Sequence, residues 1–162
     1  MPARISRAVH AMAITTLGLC GALCGAWTGQ ADAALGADAG SVQADASRLN
    51  GNLSQLSFVA YDVTEIDCAD GTRIREFLSR DGVVFALTWS GPLQPSLQPL
   101  LGHYFDAYLQ ALAAAPPAGQ PRPLRVATPQ LVVEAGGHMR SVAGRAYLPA
   151  LIPAGVSTGE LR

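Results

Sequence analysis

From Ser96 to Ala115 the chain reads SLQPLLGHYFDAYLQALAAA, with Leu97, Leu100, Leu101, Tyr104, Phe105, Tyr108 and Leu112 recurring at steps of three and four. That spacing puts them on one stripe of a helix. A stripe of this kind needs an apolar layer to cover. Both flanks read as short strands separated by glycine turns, so the predicted fold class is α+β: an antiparallel sheet, β-β-β-α-β-β, with one amphipathic helix packed on one face.

The strands before the helix come from two similar devices. Leu56 to Ile66 is rich in β-branched and aromatic residues, and Ala69-Asp70-Gly71 follows as a tight loop with glycine at its left-handed position. A loop of that length sets Asp67 opposite Arg73, Glu65 opposite Arg75 and Val63 opposite Phe77. Each opposite-charge pair adds roughly 0.2 to 1 kcal/mol, so the register is consistent with itself. Arg80-Asp81-Gly82 repeats the device, and the same count pairs Phe77 with Phe85 and Arg73 with Trp89. Pro92, Pro95 and Pro99 then end the meander, with Ser96 as the helix N-cap.

After the helix, a proline-rich loop spans about 116–129. Strand-like runs follow at Gln130 to Ala135 and Met139 to Leu148, and Gly136-Gly137 reads as the hairpin turn between them. The last fifteen residues, with Pro149 and Pro153, are expected to cross the domain without adding a central strand.

The N-terminal third changes the picture. Arg4 and Arg7 precede an apolar run from Ala11 to Trp27 that ends at Ala31-Asp32-Ala33, the order of a secretory signal peptide cleaved after Ala33. Residues 34–55 read as a flexible N-terminal arm with a loose helix around Val42 to Leu49, and 56–162 as a single α+β domain. The expected location is therefore periplasmic or secreted, with no stable membrane span once the leader is removed. Net charge is −1 and all eleven basic residues are arginine, so no basic footprint for nucleic acid exists. Outside the leader only Cys68 remains, which excludes an intramolecular disulfide framework there.

Candidate chemistry is sparse. GGHMR and GRAY place His138, Arg140, Arg145 and Tyr147 on one predicted hairpin, where histidine and arginine beside a glycine turn would suit an anion or carboxylate. A solvated strand face, with His138 near Glu134, accounts for the same residues. Trp89, Phe85, Tyr104 and Tyr108 read either as core or as an aromatic groove between helix and sheet. His103 falls on the solvent side of the helix, and two histidines without clustered thiols or carboxylates do not make a metal site. No cofactor is expected. Cys68 at a hairpin edge has no helix N-terminus or basic pocket to activate it as a nucleophile.

GTRIREFLSRDGVVFALTWSGP, then LQPLLGHYFDAY, then LVVEAGGHMRSVAGRAYLPALIPAGV, resemble in content and order the bacterial family catalogued as domain of unknown function 2844. The resemblance implies a small exported protein of proteobacteria and brings no activity, cofactor or catalytic residue. The leading expectation is a non-catalytic domain that binds an envelope protein or ligand, with His138, Arg140, Arg145, Tyr147 and Trp89 as candidate binding residues. The alternatives are a small periplasmic enzyme or ligand-binding protein using the His138/Arg140 surface, and a subunit of a homo-oligomer.

Overall fold

A computed structural model of the chain describes residues 35–115 and 123–162. The leader, and 116–122 of the proline-rich loop, lie outside the described residues. The elements are α1 (Ala39–Leu49), β1 (Asn52–Ser57), β2 (Tyr61–Asp67), β3 (Arg73–Ser79), β4 (Val84–Gly91), α2 (Leu97–Leu101), α3 (Phe105–Ala114), β5 (Leu124–Ala127), β6 (Val132–His138) and β7 (Ser141–Tyr147). The strands form one sheet of seven, in the order β1-β2-β3-β4-β7-β6-β5, antiparallel at every step.

The fold is α+β, but it contains more than the predicted β-β-β-α-β-β pattern. Residues 34–55, expected as a flexible arm with a loose helix, supply α1 and most of β1, and the expected strand from Leu56 to Ile66 is divided between β1 and β2 by a turn at 58–60. Asp38 caps α1 by accepting from the Gly40 N–H at 2.9 Å, and Asn50 ends it in the left-handed conformation at φ 48°. Val42 and Ala46 are buried under this helix, so burial anchors a segment whose own periodicity is weak. β1, NLSQLS, is exposed throughout and therefore has no period-2 signature. β5 lies inside the expected loop, following Pro123 as a short edge strand.

The predicted single helix is two. Gly102, at φ 51°, breaks the run, and a 3-10 turn over Gly102–Tyr104 joins α2 to α3. Ser96 occupies the N-cap position of α2 without making a side-chain cap hydrogen bond. Leu100, Leu101 and Tyr108 carry the apolar stripe onto Ile66, Ile74, Leu87, Trp89, Leu131, Val133 and Ala146. A helix layer therefore covers one face of the sheet.

The β2–β3 register is the expected one, with Asp67 opposite Arg73, Glu65 opposite Arg75 and Val63 opposite Phe77. Cys68 and Thr72 close the loop through a 2.8 Å bond, and Gly71 sits at φ 83°. β3–β4 corrects the expectation. The register begins as predicted at Leu78–Val84, then slips at a bulge, so that Phe77 pairs with Ala86, Arg73 with Ser90 and Trp89 with Ile74. Phe85 is the extra residue, and both it and Ala86 join the cluster on the other face. The predicted Phe77–Phe85 contact survives as rings 6.2 Å apart, whereas Trp89 and Arg73 end on opposite faces.

That bulge also lets β4 change neighbours. Residues 86–91 pair with β7, while Val84 donates to the Ala37 carbonyl at 2.9 Å and accepts from the Gly36 N–H at 2.7 Å. Leu35, fully buried, donates to the Leu100 carbonyl. The segment before α1 thus continues a ladder that β7 leaves at Pro149, which has no N–H to give. After Leu148, which is buried on the helix face, residues 149–162 form an irregular strap over the other face that adds no strand. Leu161 of the strap is buried among Tyr61, Val63, Phe77, Phe85, Ala86, Val132 and Tyr147.

Candidate functional site

The strap-side face is organised as three cross-strand rows, because alternate residues of each strand share a face. The first row, Val63–Phe77–Ala86–Tyr147–Val132, is apolar and lies under the strap. The second runs Glu65–Arg75–Thr88–Arg145–Glu134–Arg125 across six strands. The third, Asp67–Arg73–Ser90–Ala143–Gly136, is small and polar in its centre. Arg75 and Arg145 flank Thr88, each held from outside by a carboxylate: Nε of Arg75 to Glu65 at 2.6 Å, and Nε of Arg145 to Glu134 at 2.6 Å.

The same two guanidinium groups hold the strap. Nη1 of Arg145 donates to the Thr158 carbonyl at 2.6 Å, and Nη1 of Arg75 donates to the Arg162 main-chain oxygen at 2.8 Å. Arginine can serve both ends because its five donors lie in a rigid planar fork. Arg73, more exposed, pairs with Asp67 at 2.8 Å, which holds its proton more tightly than usual.

Beyond the charged row the strap leaves the sheet uncovered. An open cleft of about 480 Å³ lies there, lined by Arg73, Arg75, Arg145, Glu134, Ser90 and Leu161 among others. Its floor is shallow where Gly136 lacks a side chain. Beneath it, on the helix face, a Cβ at Gly144 would run into the Trp89 ring and the Glu134 carbonyl oxygen, so glycine is required for the indole to lie across β7. Trp89 borders the cleft from that side, with its indole buried in the helix-face cluster and the ring N–H without a hydrogen-bond partner.

Of the residues singled out by sequence, Arg145 and Trp89 line this cleft, and Tyr147 lies next to it in the covered row with the Arg145 guanidinium 5.9 Å from its ring centre. His138 and Arg140 are elsewhere. Gly136 and Gly137 continue β6, and the hairpin turns at Met139-Arg140, with Arg140 at φ 63°. This corrects the expected turn: the glycines pair with Ala143 and Val142 in the ladder, and a non-glycine residue takes the left-handed position. His138 ends β6 as an exposed residue opposite Ser141, and it lines a separate shallow pocket with Tyr108, Leu97 and Val142.

Sequence reasoning missed Arg75, Arg73 and Glu134 as cleft residues, having read the first two as register-fixing partners of acidic residues. They are that as well. Only the non-local pairing of β4 with β7 brings Arg75 and Arg145 to either side of Thr88. Cys68 is half-buried, and burial, reinforced by Asp70 and Asp67, pushes its thiol up. The pocket beside it is lined by Asp67, Thr72, Arg73 and Ser90, with no histidine. Among the described residues, no group of three or more His, Cys, Asp or Glu could hold a metal ion, and no helix is long and apolar enough to cross a membrane.

The family model described as protein of unknown function (DUF2844) matches residues 31–161, and the chain belongs to that family. No curated protein and no solved structure matches it.

Proposed function

We propose that the protein is a non-catalytic binding domain of the bacterial cell envelope, and that the strap-side cleft receives an anionic group of its ligand, a carboxylate or phosphate. One observation carries this reading: Arg73, Arg75 and Arg145 line a single open cleft whose centre is formed by Ser90, Ala143 and Gly136. Their partner carboxylates orient the guanidinium groups, and oriented arginine forks bind planar or tetrahedral anions in two-pronged fashion. The leader-like N-terminus supports the envelope location.

The indole of Trp89 is buried on the helix face, so binding is read directly rather than through its emission. Isothermal titration of the purified protein with inorganic phosphate and with acetate should show saturable binding. Arg73→Ala and Arg145→Ala should each weaken that binding about tenfold, the worth of one charge-assisted pair. No saturable binding of either anion, or binding unaffected by both variants, would refute the cleft assignment. Location is tested separately, by the mass of the N-terminus of the protein recovered from the periplasmic fraction, where cleavage after Ala33 is the expected result.

A further inference from the structure

The two edges of the sheet are built differently. β5 is four residues long, follows Pro123 and carries Arg125, three features that discourage strand addition. β1 is six residues long, every one of them exposed, and pairs with β2 without a bulge. From Asn50 to Tyr61 there is no charged side chain and no proline. Leu56 is 54 % exposed and Val59 98 %, with Leu53 and Phe58 also exposed beside them.

The backbone of β1 is poised for a further strand. Phe58 donates to the Tyr61 carbonyl at 2.9 Å, so this pair is a hydrogen-bonded one, and such pairs alternate along an antiparallel ladder. Asn52, Ser54 and Leu56 therefore bond inward to β2, and the N–H and C=O groups of Leu53, Gln55 and Ser57 point off the sheet. The acids of the neighbouring strand are matched by arginines, Asp62 by Arg80, Glu65 by Arg75 and Asp67 by Arg73. No uncompensated charge is left at this edge to select a charged foreign strand.

We propose that β1 is where two copies of this chain join, edge to edge and antiparallel, about a twofold axis normal to the sheet. At a twofold axis the central position faces its own counterpart and its two neighbours lie diagonally across from theirs, so a charge at the middle of the edge would meet itself, and β1 carries none. Centring the axis on Gln55 pairs all three outward residues: Gln55 with its counterpart, and Leu53 with Ser57 of the other copy. Leu56 and its counterpart then lie diagonally across the junction, about 7 to 8 Å apart, within reach of each other. The two sheets become one, and each exposed edge is removed. This inference is independent of the cleft, which lies on strands nearer the other edge.

Sedimentation equilibrium of the purified protein tests it. The wild type should associate to a dimer in a concentration-dependent way. Gln55→Lys and Gln55→Glu each put like charges directly opposite and should raise the dimer dissociation constant about two- to fivefold. An equimolar mixture of the two should dimerise at least as tightly as wild type, which also controls for misfolding of either variant. A wild type that stays monomeric up to its solubility limit, a dimer indifferent to both charges, or a mixture that fails to re-associate would each overturn the proposal.

Discussion

The two faces of the sheet obey different rules. The helix face is apolar from Ile66 to Ala146 and is closed by Leu100, Leu101 and Tyr108. The opposite face has one apolar row under the strap, then a charged row, then a small polar one. A helix satisfies its interior backbone hydrogen bonds internally, so it can cover a sheet with side chains alone. An irregular strap cannot, and here Thr158 and Arg162 borrow donors from Arg145 and Arg75. The arginines that fasten the strap also line the cleft, so accessible charge on this side follows from how the layer is held down.

The comparison breaks hardest at Gly144. Gly144→Val drives a side chain into the Trp89 ring and the Glu134 carbonyl and should destabilise the fold by roughly 3 kcal/mol or more, measured by urea denaturation. Ala143→Val, its neighbour, points to the open face and should change stability by less than about 0.5 kcal/mol. Equal costs at the two positions would mean that the faces are not packed differently.

The helix face holds a buried ionisable group, Glu76, beside Thr64 on the neighbouring strand. Glu76 is buried, and burial pushes its carboxyl up to about 7 from 4.5, with Arg48 of α1 pulling the other way; Arg48 is itself paired with buried Asp45. Below about pH 4.5 the group is protonated in both folded and unfolded chains and costs nothing. As pH rises to about 7 the unfolded chain ionises first, so stability falls, by about 3 kcal/mol at most, and then levels off. Glu76→Gln should remove this slope. Thermal denaturation across that window checks it, and identical pH profiles for the two proteins would show that Glu76 is ionised without penalty.

How far the sequence could reveal this arrangement depended on the range of the interaction. The Gly71 and Gly82 loops and the β2–β3 charge pairs were legible because hairpin geometry is local. The Phe85 bulge was not, since it serves a distant need: β4 exchanging β7 for Gly36–Asp38 as its neighbour. Gly102 was hidden inside an uninterrupted apolar stripe, which α2 and α3 preserve despite the break. β1 had no alternation to detect because neither of its faces is buried. Arg145 could be nominated from its place beside a glycine turn, and Trp89 from the aromatic residues around the helix. Their meeting with Arg75 and Glu134 required a strand order that spacing along the chain does not encode.

A smaller effect sharpens the strap side. Leu161 is 1 % exposed and is the strap's buried anchor. Leu161→Ala should cost about 2 kcal/mol, at the low end for a buried leucine because the strap can settle into part of the space. Inorganic phosphate should bind more weakly as the cleft wall formed by Leu161 retreats. Loss of stability with unchanged phosphate binding would separate the strap's anchor from the cleft wall.

The smallest effect is the most informative about Glu134, which two arginines share. Nη2 and Nε of Arg145 both reach it at 2.6 Å, whereas Arg125 approaches at 3.3 Å from a side chain 67 % exposed. An exposed pair of the second kind contributes little, so Arg125→Gln should change stability by about 0 to 0.5 kcal/mol. Arg145→Gln also leaves the Thr158 carbonyl without its donor and should cost about 1 kcal/mol. If Arg145 fastens the strap, its cost should shrink in a Leu161→Ala background, where the strap is already loosened, and a double-mutant cycle measures that coupling. Additive costs would place Arg145 outside strap retention and leave its carboxylate pairing as its whole structural contribution.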